Sequence, residues 1–220
     1  DRKFDKKVWR TKDRPIASGK ISIKTGLFYS AILCLLAFIV LIQFNFLTIF
    51  LALGSMPLAF SYPLMKRYTY WPQLFLGITF NYGLLLGWTS VTNEIAILPI
   101  IFYVGAIFWT LGFDTIYGFQ DIKDDEIIGL KSSSIKFKNN PKFFLIICYS
   151  IVIICLFYLG SLMKFSIYYN LSLAITGFHL FFSQIKILDI KKPNICLKIF
   201  KKNNLTGLII LLNILIGKLI

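Results

Sequence analysis

The 220-residue chain is short of acid: ten Asp and Glu stand against 24 Lys and Arg, a formal charge of +14. Its one histidine, His179, has no metal-ligand partners near it in sequence and reads as a packed polar side chain inside an apolar segment. Its four cysteines, Cys34, Cys148, Cys155 and Cys196, show no C-x-x-C spacing, and three lie in apolar runs where a free thiol behaves as a small hydrophobe. Zinc sites and disulfide frameworks are thereby set aside. No stretch rich in Gly, Ser or Pro divides the sequence, so residues 1–220 read as a single membrane-embedded domain. The basic excess does not form a stripe interleaved with exposed aromatics on a soluble domain, which argues against nucleic acid as a partner. Neither a methionine nor a signal peptide opens the chain, and its first residue already lies in a charged segment, so the expectation is an N-terminus that has been cut.

Apolar residues are what the chain has in excess. They make up 57% of the sequence, with a mean hydropathy of +0.72, against roughly 45–50% in a soluble domain. Seven apolar stretches approach the roughly 20 residues a helix needs to cross about 30 Å of hydrocarbon. They run Gly26–Ile42, Phe46–Ser61, Trp71–Ser90, Ile95–Phe113, Phe143–Leu162, Ile167–Ile187 and Leu205–Leu219, the last being short. In lipid the backbone must satisfy its own hydrogen bonds, and these runs lack the period-2 alternation of barrel strands. The expected fold is all-α, a polytopic transmembrane helical bundle.

If the spans alternate across the bilayer, the opening segment brings nine Lys and Arg to one side, the Tyr62–Tyr70 loop two, the Asp114–Lys142 loop five and the Lys186–Asn204 loop six. Only Lys164 and Lys218 lie opposite, so the positive-inside rule makes the crowded side cytoplasmic. Nine of the ten acids, all but Glu94, gather there too, and that face is where function is expected.

Carboxylates four residues apart stand about 5–6 Å apart on one helix face. Asp1 with Asp5, and Asp121 with Asp125, are such pairs, each presenting hard oxygen ligands that suit Mg²⁺ shared with substrate phosphates and water. Asp114 precedes Asp121 by seven, so the three acids are expected to share one helical stripe, with Tyr117 and Gly118 beside it. Diphosphate chemistry also needs cations to stabilise the leaving group. Lys66 and Arg67, after Tyr62-Pro63, lie at the same interface, and Arg10, Arg14 and Lys131 are comparable candidates that spacing does not rank. Each of these charges also has a plainer reading, as solvated loop charge, snorkelling cation or neutraliser of lipid head groups.

Four ordered motifs carry a resemblance. They are Asp1-Arg2-Lys3-Phe4-Asp5 with Arg10-Thr11 and Arg14-Pro15, Tyr62-Pro63 with Met65-Lys66-Arg67-Tyr68-Thr69, Asp114-Thr115 with Tyr117, Gln120-Asp121 and Asp124-Asp125, and Ile128-Gly129 with Lys131-Ser132. Together they resemble the 4-hydroxybenzoate polyprenyltransferases of the UbiA superfamily, essentially end to end. That family has nine transmembrane helices and an Asn-Asp three residues before the position of Asp1, which implies a chain lacking its first two helices, seven spans of nine. The resemblance further implies Mg²⁺ held by Asp1, Asp5, Asp121 and Asp125, with Lys66 and Arg67 assisting on a polyprenyl diphosphate. Tyr62, Arg10, Arg14, Asp114 and Lys131 are the expected substrate-binding residues. The implied reaction joins an all-trans polyprenyl group to the 3-position of 4-hydroxybenzoate, as in ubiquinone biosynthesis, at the cytoplasmic face of a bacterial inner membrane and amid membrane lipid. Family position favours Asp125 over Asp124 as second ligand. The competing readings are a UbiA-type enzyme with another aromatic acceptor, and a transporter. Transporters usually place functional charge near the midplane, whereas the acids here gather at one interface.

Overall fold

A computed structural model describes residues 2–6 and 11–219, and every described regular element is helical. Six helices are long and apolar enough to cross a membrane: Ile23–Leu41, Phe46–Tyr68, Pro72–Thr92, Ile97–Gly118, Pro141–Leu162 and Pro193–Leu219. The seventh expected stretch, Ile167–Ile187, is a 14-residue helix, Ile167–Leu180, continued by a π-helical turn, Phe181–Lys186.

The first long helix, α1 (Ile23–Leu41), begins at Ser22, whose hydroxyl accepts the Thr25 N–H at 3.0 Å. It is apolar on all sides and buries none of its residues, as a lipid-facing helix would. The next, α2 (Phe46–Ser61), is capped by Asn45, whose side-chain oxygen accepts from Thr48 N. It runs on through a 3₁₀ turn, Tyr62–Leu64, and a helical turn, Met65–Tyr68, which carry Tyr62 and Lys66. The expected end at Ser61 is therefore about two turns early, because Pro63 falls where a helical turn needs no amide donor.

The chain re-enters as α3 (Pro72–Phe80) and α4 (Gly83–Thr92). At the break between them Asn81 Nδ2 donates to Gly77 O and to Thr110 Oγ1, both at 2.8 Å, which occupies polar groups that lipid could not satisfy. The central helix, α5 (Ile97–Gly118), packs against α3 on one side and on the other against α8 (Pro141–Leu162). Two short helices, α6 (Ile122–Ile128) and α7 (Ser133–Lys136), bridge α5 to α8. Helix α9 (Ile167–Leu180) and its π turn lead to α10 (Pro193–Lys201) and α11 (Asn203–Leu219). The last span, short in the sequence, thus gains α10, and Lys198, Lys201 and Lys202 lie on its helical end instead of in a loop. Leu111, Ile116, Leu145, Tyr149, Val152, Leu180 and Ile199 form the core around α5 and α8.

Candidate functional site

At one end of the bundle a polar cavity of about 350 Å³ collects Asp5, Arg14, Tyr62, Lys66, Asp114, Tyr117, Asp121, Asp125 and Lys131. Four separate pieces of chain meet there, and each is held by its own backbone. In the opening segment a helical turn, Arg2–Asp5, presents Asp5. Thr11 Oγ1 donates to the Asp5 carbonyl at 3.0 Å, and Arg14 Nη1 to Asp5 Oδ1 at 3.1 Å. The pair keeps the arginine at the cavity mouth with its side chain 54% exposed, so its worth is in placement more than in stability.

Lys66 stands one turn after Tyr62 on the same face, and both line the cavity. Its carbonyl accepts the Lys131 N–H at 2.8 Å, which fastens the segment after α6 to the end of α2. Gly129 makes that approach possible: at φ +79 it caps α6 in the left-handed region, where a side chain would be strained by about 1 kcal/mol. Leu130 N then donates to Asp125 O. Lys131 Nζ donates to Tyr68 O at 3.2 Å and lies 5.6 Å from the Tyr70 ring centre.

The expected single stripe through Asp114, Asp121 and Asp125 is broken. Helix α5 ends at Gly118, the chain turns through Phe119 and Gln120, and Asp121 becomes the N-terminal flanking residue of α6 with Asp125 in its first turn. The three carboxylates nonetheless face one cavity, because the turn folds α6 back over the end of α5. A 3.6-residue period cannot anticipate a helix end that carries neither Gly nor Pro beyond it.

Arg67, beside Lys66, is exposed and is not among the cavity residues. Asp1 and Arg10 lie outside the described residues. Asp124 is absent from the cavity lining, whereas Asp125 is present. Sequence reasoning missed Gln73, and gave no role to Thr11 and Ser132 of the motifs; all three also line the cavity. The available signal was a polar Gln73 directly after Pro72, opening an otherwise apolar run.

Asp5, Asp121 and Asp125 supply hard carboxylate oxygens from two directions. Among the described residues no three Asp, Glu, His or Cys side chains close on one point. Carboxylates of this kind suit a divalent ion that takes its other ligands from phosphate oxygens and water, as Mg²⁺ commonly does. Behind the cavity an aromatic ladder climbs α5: Tyr117 packs on Phe200 with centroids 4.5 Å apart, Phe200 on Phe113 at 5.8 Å, and Phe113 on Trp109 at 5.7 Å. Trp109 in turn borders a second cavity of about 240 Å³, lined by Leu84, Phe102, Leu156 and Ile210.

The UbiA prenyltransferase family model matches residues 1–207. The 4-hydroxybenzoate polyprenyltransferase, mitochondrial, of Bos taurus is 43% identical over 222 residues, covering 100% of this chain and 59% of that protein. The 4-hydroxybenzoate geranyltransferase 2 of Lithospermum erythrorhizon is 42% identical over 223 residues, covering 100% of this chain and 72% of that one. The chain thus spans well under two thirds of the bovine relative's length. Among solved structures, the apo structure of a UbiA homologue from Aeropyrum pernix K1 superposes with a TM-score of 0.79 at 21% identity, over 98% of this chain and 80% of that one, a likeness of fold. A helical bundle with four carboxylates and three cations lining one polar cavity, matched along nearly all its length, identifies the chain as a member of the UbiA prenyltransferase family.

Proposed function

We propose that the protein containing this chain transfers a polyprenyl group from polyprenyl diphosphate to the ring carbon ortho to the hydroxyl of 4-hydroxybenzoate, giving a ubiquinone precursor. The observation that carries this is the cavity itself, where carboxylates from two segments face Lys66, Arg14 and Lys131 at the end of an apolar bundle. Relatives about 40% identical over the whole chain bear the names of 4-hydroxybenzoate prenyltransferases.

In this reading Asp5, Asp121 and Asp125, with Asp1, hold Mg²⁺, which when bound neutralises the diphosphate and eases its departure. Lys66 and Arg14 take up negative charge growing on the leaving group, a role that preorganised cations fill best where water is scarce. Tyr117 presents a ring face to the allylic cation. The aromatic ladder from Tyr117 to Trp109 links the polar cavity to the apolar one, which offers the isoprenoid chain a course into the bilayer. The membrane is proposed to be a bacterial inner membrane, and the one-sided distribution of Lys and Arg supports a cavity facing the cytoplasm; several relatives are named as mitochondrial.

The test is incorporation of labelled 4-hydroxybenzoate into lipid by membranes carrying the full-length protein, supplied with polyprenyl diphosphate. Product that requires Mg²⁺ and falls at least about 100-fold in both Asp121→Asn and Asp5→Asn is expected. A folded wild type that prenylates other aromatic acceptors but not this one would replace the acceptor. One that prenylates none would remove the reading.

A further inference from the structure

Gln73 holds a hydrogen-bonding group that the steps above do not use. It lies in the first turn of α3, is 7% exposed and lines the polar cavity. Its Oε1 accepts the Ser133 N–H at 2.9 Å, and since only the amide oxygen accepts, this bond fixes which end of the amide is nitrogen. The anchor is rigid in turn. Ser133 Oγ is 2.6 Å from Thr115 Oγ1, and Ser134 Oγ donates to Thr115 O at 2.8 Å, with both serines fully buried.

Nε2 donates to no described residue and is open to the cavity, not sealed in the interior. It stands over Gly118, 3.5 Å from where a β-carbon would be. Gly118 is one turn beyond Asp114 and three residues before Asp121, so the nitrogen lies between the two acids along the cavity wall. A donor held in a fixed place on a cavity wall is available to a ligand or to water.

Three kinds of acceptor oxygen enter this cavity under the function proposed above, on which this inference rests. Diphosphate oxygens are drawn to the metal carboxylates, Lys66 and Arg14. The benzoate carboxylate carries full charge, is repelled by Asp114, and is matched by the remaining cavity cation, Lys131. The ring hydroxyl remains, and it is ortho to the attacked carbon, so it must lie close to the reacting centre. We propose that Gln73 Nε2 donates to the hydroxyl oxygen of the aromatic acceptor while the hydroxyl hydrogen faces Asp114. The pair reads an oxygen that accepts one hydrogen bond and donates another, and it makes Gln73 a residue that selects hydroxylated rings.

The experiment compares 4-hydroxybenzoate with 4-aminobenzoate as acceptors in membranes carrying the full-length protein. Q73E keeps an oxygen for Ser133 N–H and replaces the donor with an acceptor that suits an amino N–H. Its kcat/KM ratio is expected to move toward the amine by about tenfold or more, with the KM for polyprenyl diphosphate unchanged. Q73L should lose roughly tenfold or more on the hydroxy acid and gain nothing on the amine. An unchanged ratio in an active Q73E would mean that the nitrogen holds only water, and a joint rise of donor and acceptor KM would mean that Gln73 merely supports Ser133. Either result overturns the assignment. Should Q73E fail to accumulate, Q73L decides: undiminished turnover of the hydroxy acid overturns it equally. A wild type inactive on both acids takes down the proposed function first, and this inference with it.

Discussion

At position 118 one methyl group separates an open cavity wall from a broken one. A β-carbon there would collide with Ser134 Oγ and lie 3.3 Å from Ser134 Cβ. Ser134 is fully buried and its hydroxyl is committed to Thr115 O, so it has nowhere to swing. Gly118→Ala should therefore cost about 1–3 kcal/mol, the usual penalty of overpacking. Thermal melting in detergent would register it as a lowered midpoint, and prenyl transfer should fall as well, because the same shift displaces Ser133 and the Gln73 amide it holds. An alanine variant that melts and turns over like wild type would show that the 118–134 contact relaxes freely.

Among the elements, the π-helical turn Phe181–Lys186 has the largest structural consequence. It brings Gln184, fully buried, to a point where two other helices, α8 and α11, reach it. Tyr149 OH on α8 donates to Gln184 Oε1 at 2.8 Å, and Gln184 Nε2 donates to Thr206 Oγ1 on α11 at 3.0 Å. Asn203, at the start of α11, accepts from Trp109 Nε1 on α5 at 2.8 Å, and so fixes the head of the aromatic ladder. Gln184→Leu strands the buried Tyr149 hydroxyl and removes the donor that ties Thr206 to the turn, and should lower stability by about 1–3 kcal/mol, whereas Tyr149→Phe, which leaves one oxygen to rebind locally, should cost about 1 kcal/mol or less. Equilibrium unfolding in mixed micelles would rank the two; the reverse order would place the weight on Tyr149 packing instead.

Nothing in the sequence marks that turn. Hydropathy reads apolar surface, so it located α1, α5 and α8 to within a few residues, but polar cross-links inside the bundle look like weak points in a span. For the same reason α10 reads as loop in the sequence: Lys198, Lys201 and Lys202 hide a helix whose Ile199 and Cys196 are fully buried. At the cavity the charged residues were readable because carboxylates at an apolar interface are rare. Gln73 was not, since its role comes from Ser133, sixty positions away, and no local spacing encodes it.

For the whole molecule the decisive property is which face carries the cavity. Asp5, Lys66, Asp121 and Lys131 come from three widely separated segments and converge at one end of the bundle, which is the end the positive-inside count assigns to the cytoplasm. Lys164, in the turn between α8 and α9, belongs to the opposite end. With the four native cysteines replaced by alanine, Lys164→Cys should react with a membrane-impermeant maleimide added to intact bacterial cells, and Lys192→Cys only after the membrane is opened. Both substitutions are exposed in the fold, so labelling reports side and not burial. The reversed pattern would turn the carboxylates and cations outward, away from a diphosphate donor made in the cytoplasm, and prenyl transfer at that cavity would no longer be tenable.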